Sequence, residues 1–600
     1  MKRMNIHIPG KRIIKWSGWI AAGLLLGACS KVLNKLPENN LASSQMYRNV
    51  YDADAAIIGL YGKFMGLAKQ YVVLNELRGD LMEVTDNADG YLREINQHRV
   101  SDGNPYANPR PFYEVINDCN DILKNFNIML TSNKMKAAEY QQRYSDVGCL
   151  RSWCYLQLGI HWGKVPYVTD PLESVDAVKD PAKFRALEFK ELLDSLAAFT
   201  GGLPFMSPYP IGATVNTGLM TTVDGTSTKR FFIDKYSLAG DIFLWRGNYT
   251  TADSCYRLLM EHTGYDLDNP NSLYSGGDQY FTEFRQAWAS VTDNHDMNVG
   301  YVRYHEMDIN SLIDNNSWGW RSMFARGIDQ YYLTQWLWVL PYNSNFAPTN
   351  PFVDLFSNRG GSYLVKPSQV ALDNWNSQTQ FNGFPYDARG KFTVRTMDGQ
   401  PVIVKYLYGY LDGTSFLPVN ILSKNGQWFL NRAAAVHLRF AEGANRDRHS
   451  RLAAGLLNGG LRDAYGDGNP DLNRDVSNIE HTNYLDFPYN FDARYGEFPR
   501  YRAPWYKNTG IRGTAYLKSI PFPAGDSTIA VEDAILNEAG LELAYEGYRW
   551  ADLLRITLRR NDPSILANAI YNKLSKDNMP GASEAKANLL ARKWYLPFKW

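Results

Sequence analysis

The stretch Ala534–Arg555, AILNEAGLELAYEGYRWADLLR, decides the reading of the chain. It holds no proline and is rich in Leu, Ala, Glu and Arg, all good helix formers. Val531, Ala534, Ile535, Leu541 and Tyr545 recur at three- and four-residue spacing, which predicts a helix with an apolar face. Glu538, Glu542 and Glu546 stand four residues apart and line up along it, where uncompensated carboxylates repel. Arg549 lies three residues beyond Glu546 and Arg555 three beyond Asp552, so counter-charges are near. Aligned acids and arginines beside apolar residues predict contact with either a substrate or the rest of the fold.

Upstream, helical periodicity marks Asp52–Met65, Phe112–Leu130, Gln142–His161, Lys183–Phe199, Lys229–Arg246 and Thr250–Thr263. The Gly247-Asn248-Tyr249 break predicts that the last two form an antiparallel pair. Helix pairs in series suggest tetratricopeptide-type hairpins, although no clean 34-residue period is present. Between Gly264 and Gln427 the character changes to Gly, Asn, Pro and aromatics. There the strand-like Lys391–Arg395 and Val402–Tyr408 flank the turn signal Asp398-Gly399, which predicts a hairpin. Helical character returns at Trp428–Ala444 and Arg448–Ala464, and loops fill Tyr465–Ile529. The tail ends in Trp594-Tyr595-Leu596-Pro597-Phe598, an apolar segment that should dock. The expectation is one domain over 29–600. It comprises an N-terminal helical part (29–263), a loop-rich ligand-binding insert (264–427) and a C-terminal helical part with loops (428–600).

The first 28 residues read as an address. Lys2, Arg3, Lys11, Arg12 and Lys15 precede an apolar run from Trp16 to Ala28 that is too short to span a bilayer. The run ends in Leu26-Gly27-Ala28-Cys29, which resembles a bacterial lipobox with Cys29 as the lipidated residue. Several acyl chains on Cys29 would anchor the protein stably.

Composition excludes some classes of partner. Across 600 residues the formal net charge is +1, so no field draws the chain to nucleic acid. Aromatic content is high at 14%, with 39 Tyr and 16 Trp, which favours rigid, partly wet binding faces. Cys119, Cys149, Cys154 and Cys255 show no metal spacing and read as small core residues.

For chemistry, Glu538, Glu542 and Glu546 are the acids a secreted glycosidase would draw on, although an internal ion network fits them better. No GxSxG, HExxH or phosphate loop occurs, and no cofactor is expected. Asp467, Asn469, Asp471 and Asp475 alternate as calcium ligands do, but Leu472 stands where the EF-hand pattern has glycine. Trp318, Trp320, Tyr331, Tyr332, Trp336 and Trp338 cluster with Arg321 and Asp329. Flat rings beside polar groups suit a carbohydrate, and this set is the expected ligand face, with core as the competing reading for Trp336 and Trp338.

Several segments carry a family resemblance. They are Leu36-Pro37, Asn75-Glu76-Leu77-Arg78-Gly79-Asp80, the helix with Tyr113, Ile116, Cys119 and Asn120, and Leu150-Arg151 through Gly163-Lys164-Val165-Pro166-Tyr167. With Glu538–Arg555 and the closing Trp594-Tyr595-Leu596-Pro597, they resemble in order the SusD/RagB family of nutrient-binding outer-membrane lipoproteins of Bacteroidetes. The resemblance implies a mainly α, SusD-like helical scaffold with tetratricopeptide-like pairs and long insertions carrying a few short strands. It implies a lipid-anchored cell-surface protein that hands oligosaccharides, or in some members peptides, to a SusC-like TonB-dependent outer-membrane barrel without chemistry. The early loop offers Arg78, Tyr91 and Tyr106 as ligand-binding residues, but not the tryptophan of starch-binding members. Ser30-Lys31-Val32 lacks the acidic run that often accompanies surface export. A secreted glycoside hydrolase and a periplasmic tetratricopeptide scaffold are the alternatives from other classes.

Overall fold

Short polar side chains and glycines set where the helices begin and end. Asn49 accepts the backbone N–H groups of Tyr51 and Asp52 to start Val50–Phe64. Asp234 accepts Ser237 N–H at 2.8 Å, so the next helix is Lys235–Arg246 and begins six residues later than periodicity alone suggests. Gly247, at φ 77°, ends that helix in the left-handed region and lets Tyr249–His262 fold back against it. The structure is a computed structural model that describes residues 46–172, 184–206, 222–223, 226–228, 231–262, 319–325, 336–381, 383–465, 486–491 and 510–599.

The helices form a series in which each packs on the next. Arg110–Thr131 lies against Ala137–Trp162, which carries Phe189–Gly201, and that in turn meets Lys235–Arg246. Tyr249–His262 passes the series to Ala433–Arg446, which packs on Ser450–Leu457 and Thr528–Glu542. The expected scaffold of helix pairs is therefore present. Among the described residues no helix is long and apolar enough to cross a membrane.

The strands are short and two-stranded. Asp398 and Gly399 both have positive φ, at 51° and 75°, as the tight turn of a twisted hairpin demands. They join Val394–Met397 to Gln400–Ile403 in antiparallel register. The expected first strand is half helix, because Asp387 caps Ala388–Thr393 by accepting Arg389 N–H. Trp428 likewise opens no helix: Gly426–Arg432 is a strand paired with Trp336–Tyr342, and the helix starts at Ala433. This ribbon is the centre of the core. Phe64 stacks on Trp338 at 5.4 Å and on Trp428 at 5.1 Å, with Trp153 edge-on at 5.1 Å. Such pairs add about 0.5–1.5 kcal/mol each beyond the area they bury.

The stretch expected as one helix is two. Thr528–Glu542 ends and Arg549–Arg560 begins, with a tight turn between them. Tyr545 sits at φ 72° and Gly547 at φ 93°, conformations no helix interior contains. A Cβ on Gly547 would lie 2.2 Å from the Tyr71 ring, so only glycine fits there. The first of these helices is buried on nearly every side, which is why its apolar residues are not confined to one stripe.

Candidate functional site

The acids of the opening stretch lie inside the protein. Glu542 pairs with Arg389 and Arg432, both at 2.6 Å. Glu546 pairs with Arg432 and Lys405 at 2.8 Å, and Glu538 with Arg389 and Arg512 at 2.7 Å. Asp387 completes the group on Arg389, so four acids face four bases (Asp387, Glu538, Glu542, Glu546 against Arg389, Lys405, Arg432, Arg512) and the formal charges cancel. Burial would raise the Glu538 and Glu546 carboxyls, yet Arg389 and Arg512, and Arg432 and Lys405, hold them below their ordinary value. Buried in this way, these acids cannot flank a glycosidic bond. The network ties the middle of the chain, through Arg389 and Lys405, to the C-terminal helices.

Arg549, three residues beyond Glu546 and the near counter-charge that spacing offers it, pairs instead with Asp80 at 2.6 Å. The turn after Glu542 rotates it toward the Asn75–Asp80 segment. Arg78 of that segment, expected at a ligand, is interior. Its guanidinium lies 3.8 Å from the centre of the Trp550 ring and donates to Trp594 O at 2.5 Å. One arginine thus links three of the motifs that run in order along the chain. The Tyr113–Asn120 helix and the Gly163–Tyr167 segment are joined in the same manner. Tyr113 Oη donates to Pro166 O at 2.7 Å, and Asn120 Nδ2 to Val168 O at 3.0 Å.

Of the aromatics expected on a ligand face, Trp320 and Trp336 are core. Trp320 Nε1 donates to Thr393 Oγ1 at 3.2 Å, while Trp336 Nε1 donates to Met323 O and its ring stacks on Phe429 at 4.4 Å. Trp338, also in that cluster, is core as well. Tyr106 is buried beside Gln70, which donates to its carbonyl. A ring enclosed on both sides cannot stack on a sugar, so Arg78, Trp320 and Trp336 are removed from the expected site, and Tyr106 offers at most an edge. Trp318, Tyr331, Tyr332, Cys29 and the calcium candidates Asp467, Asn469, Asp471 and Asp475 lie outside the described residues.

Tyr91 remains, 45% exposed, and its surroundings are informative. The early loop and the central block, expected to share the site, do meet here. Met82–Val84 pairs with Val365–Pro367, Thr85 N–H donates to Leu364 O at 3.0 Å, and Asn87 Nδ2 to Ser362 O at 3.1 Å. Beyond Ser362, Arg359 binds Asp398 at the hairpin turn and the Phe416 carbonyl, both at 2.8 Å. The outcome is one surface carrying exposed Asp86, Asn87, Asp89, Tyr91 and Ser362. These side chains can accept and donate hydrogen bonds, and Tyr91 adds an exposed ring. The polar loop residues Asp86, Asn87 and Asp89 escaped the sequence reading, and their clustering before a helix start was the available signal.

Next to it the segment 416–422 exposes Leu417, Val419, Ile421 and Leu422, the last at 87%. Among the described residues, no group of His, Cys, Asp and Glu is arranged to hold a metal.

No protein-family profile and no curated relative matches the chain. Solved structures do. A SusD superfamily protein from Bacteroides thetaiotaomicron superposes with a TM-score of 0.54 over 90% of this chain and 98% of its own, at 17% identity. Surface glycan-binding protein A from Bacteroides uniformis gives 0.53 over 91% and 96% at 15% identity. A laminarin-binding SusD-like protein gives 0.51 over 90% and 97% at 13%. The chain therefore has the SusD-like fold, a mainly helical scaffold with short strands. That fold spans nine-tenths of its length, as the ordered motifs anticipate.

Proposed function

We propose that this protein binds an oligosaccharide at the outer-membrane surface and delivers it, without chemistry, to a SusC-like TonB-dependent barrel. The observation that carries the reading is the SusD-like fold over 90% of the chain, shared with a laminarin-binding protein and a surface glycan-binding protein. The Tyr91 surface supports it, since hydrogen-bonding side chains and one exposed ring give capture that is weak enough for release. The aliphatic segment Leu417–Leu422 supports a protein partner, because exposed apolar side chains in contiguous sequence mark surfaces that another protein covers. The lipobox at Cys29 supports lipid anchoring in the outer membrane.

Isothermal titration of the purified mature protein against glycan and peptide panels tests the ligand. Heat with a glycan and none with peptides is expected. Binding of peptides alone would replace the saccharide by a peptide ligand. Protease shaving of intact cells tests the location, since a surface protein is cleaved and a periplasmic scaffold is protected.

A further inference from the structure

Away from the Tyr91 surface, and sharing no residue with it, a cleft of about 810 Å³ opens between the helix pairs and the C-terminal tail. Its volume falls within the roughly 300–1,000 Å³ of small-ligand sites. Trp245, Tyr249 and Tyr595 line it, each incompletely buried. The Tyr595 ring is held flat. A Cβ built on Gly163 would lie 2.8 Å from three of its ring atoms at once, so the ring rests face-down on the glycine backbone. The residue remains 36% exposed, which leaves it accessible from the cleft that it lines. Trp245 is held by two neighbours that line the cleft with it. Its ring meets the Phe189 edge at 5.3 Å and the Arg555 guanidinium at 5.4 Å, and it also lines a smaller neighbouring cavity of about 50 Å³.

The polar groups at the mouth are balanced in sign. Arg246 and Asp194 pair at 2.7 Å with both side chains partly exposed, and Lys190 and Asn248 stand exposed beside them. Asp447, also on the lining, offsets the Lys190 ammonium, and Arg555 and Arg559 are already paired with Glu442, Asp552 and Glu532, so the cleft attracts neither a strong anion nor a cation. It offers hydrogen bonds of both senses next to two immobilised rings. A neutral polyhydroxylated ring has the matching chemistry, with apolar C–H faces for the aromatics and hydroxyls for the rim.

We infer that the Trp245–Tyr595 cleft is a second saccharide subsite, taking a neutral di- or trisaccharide unit. The inference rests on the glycan-binding reading and deepens it: two separate subsites let one chain hold a polymer at two points, raising its avidity above that of either.

The test labels the full mature protein with 5-fluorotryptophan, assigns the Trp245 fluorine resonance with Trp245→Phe, and titrates maltotriose, laminaritriose, cellotriose and mannotriose. In parallel, calorimetry compares the wild type with Tyr595→Ala and Lys190→Ala, both exposed enough to fold, as circular dichroism verifies. The expected result is a saturable shift of the Trp245 resonance with at least one trisaccharide, weakened tenfold or more in Tyr595→Ala. A trisaccharide that binds by calorimetry while the Trp245 resonance stays still and Tyr595→Ala binds unchanged overturns the cleft and leaves the glycan-binding function standing. No heat with any saccharide overturns that function, and the cleft as a saccharide site with it.

Discussion

Glu76 Oε1 accepts the backbone N–H of Gly547 at 2.6 Å, across 471 residues of chain. The same carboxylate takes the N–H of Tyr548 at 2.9 Å and of Tyr545 at 3.1 Å, so it caps the helix Arg549–Arg560 from a distant segment. A carboxylate at a helix N-terminus meets both unpaired donors and the positive end of the helix dipole. Tyr71 Oη closes the joint by donating to Gly547 O at 2.9 Å.

Truncation of this cap is expected to be costly. Glu76→Ala takes the acceptor from four buried N–H groups, those of Tyr545, Gly547, Tyr548 and, at 3.5 Å, Arg549, a loss of roughly 3 kcal/mol or more. Glu76→Gln keeps one acceptor oxygen and should lose less. Urea unfolding of the three proteins gives the ranking, and equal midpoints would remove the capping role.

Gly547→Ala combines a left-handed backbone with a clash against Tyr71. It should lower stability by more than about 1 kcal/mol. Tyr71→Ala is itself costly, since it empties a core site and removes the hydrogen bond to Gly547 O, but in that background Gly547→Ala should cost less than in the wild type, because the clash is gone and only the φ of 93° remains.

The buried network predicts a different pattern. Glu542→Ala strands Arg389 and Arg432, which should cost about 3–5 kcal/mol. Because the network touches no exposed surface, any folded fraction should keep its glycan affinity. A fall in affinity at unchanged melting temperature would place Glu542 at the ligand instead.

Acid should loosen the C-terminal helices first. Burial would raise the Glu442 carboxyl, yet Arg555 and Arg559 hold it down at about 2, against an ordinary 4.5. Between those values the unfolded chain binds a proton that the folded one refuses, so stability is full above about pH 4.5 and falls as pH drops toward 2. This contribution is on the order of 3 kcal/mol. Glu532, Glu538 and Glu546, also held low by arginines and Lys405, act in the same direction. Burial holds the Glu76 and Asp146 carboxyls up at about 7, which acts oppositely between pH 7 and 4.5, so the decline should show in melting curves from pH 4.5 to 3, and Glu442→Gln should flatten it.

The aromatic core gives the last prediction. Trp336→Ala should cost about 3–5 kcal/mol, as expected of an enclosed ring. Tyr91→Ala should leave stability within about 0.5 kcal/mol and weaken glycan binding. Paired unfolding and calorimetry separate the two outcomes.

Much of the scaffold was legible in the sequence because it depends on neighbours along the chain. The helix pairs follow from 3.6-residue periodicity, the turn at Gly247 from glycine's tolerance of positive φ, and the hairpin from Asp398-Gly399. The ordered motifs were legible too, although not what they do: Arg78, Glu76 and Asn120 join one motif to another inside the protein. Tertiary structure decided the rest. Periodicity cannot distinguish a tryptophan buried by a distant strand from one left open, so Trp320 and Trp336 read as a ligand face until Thr393, Met323 and Phe429 were seen to enclose them. Nor can spacing choose an ion pair. Arg549 is three residues from Glu546, yet the turn at Tyr545–Gly547 directs it to Asp80, 469 residues away. Local backbone preferences are written residue by residue, whereas burial and charge pairing belong to whichever distant segments the fold brings together.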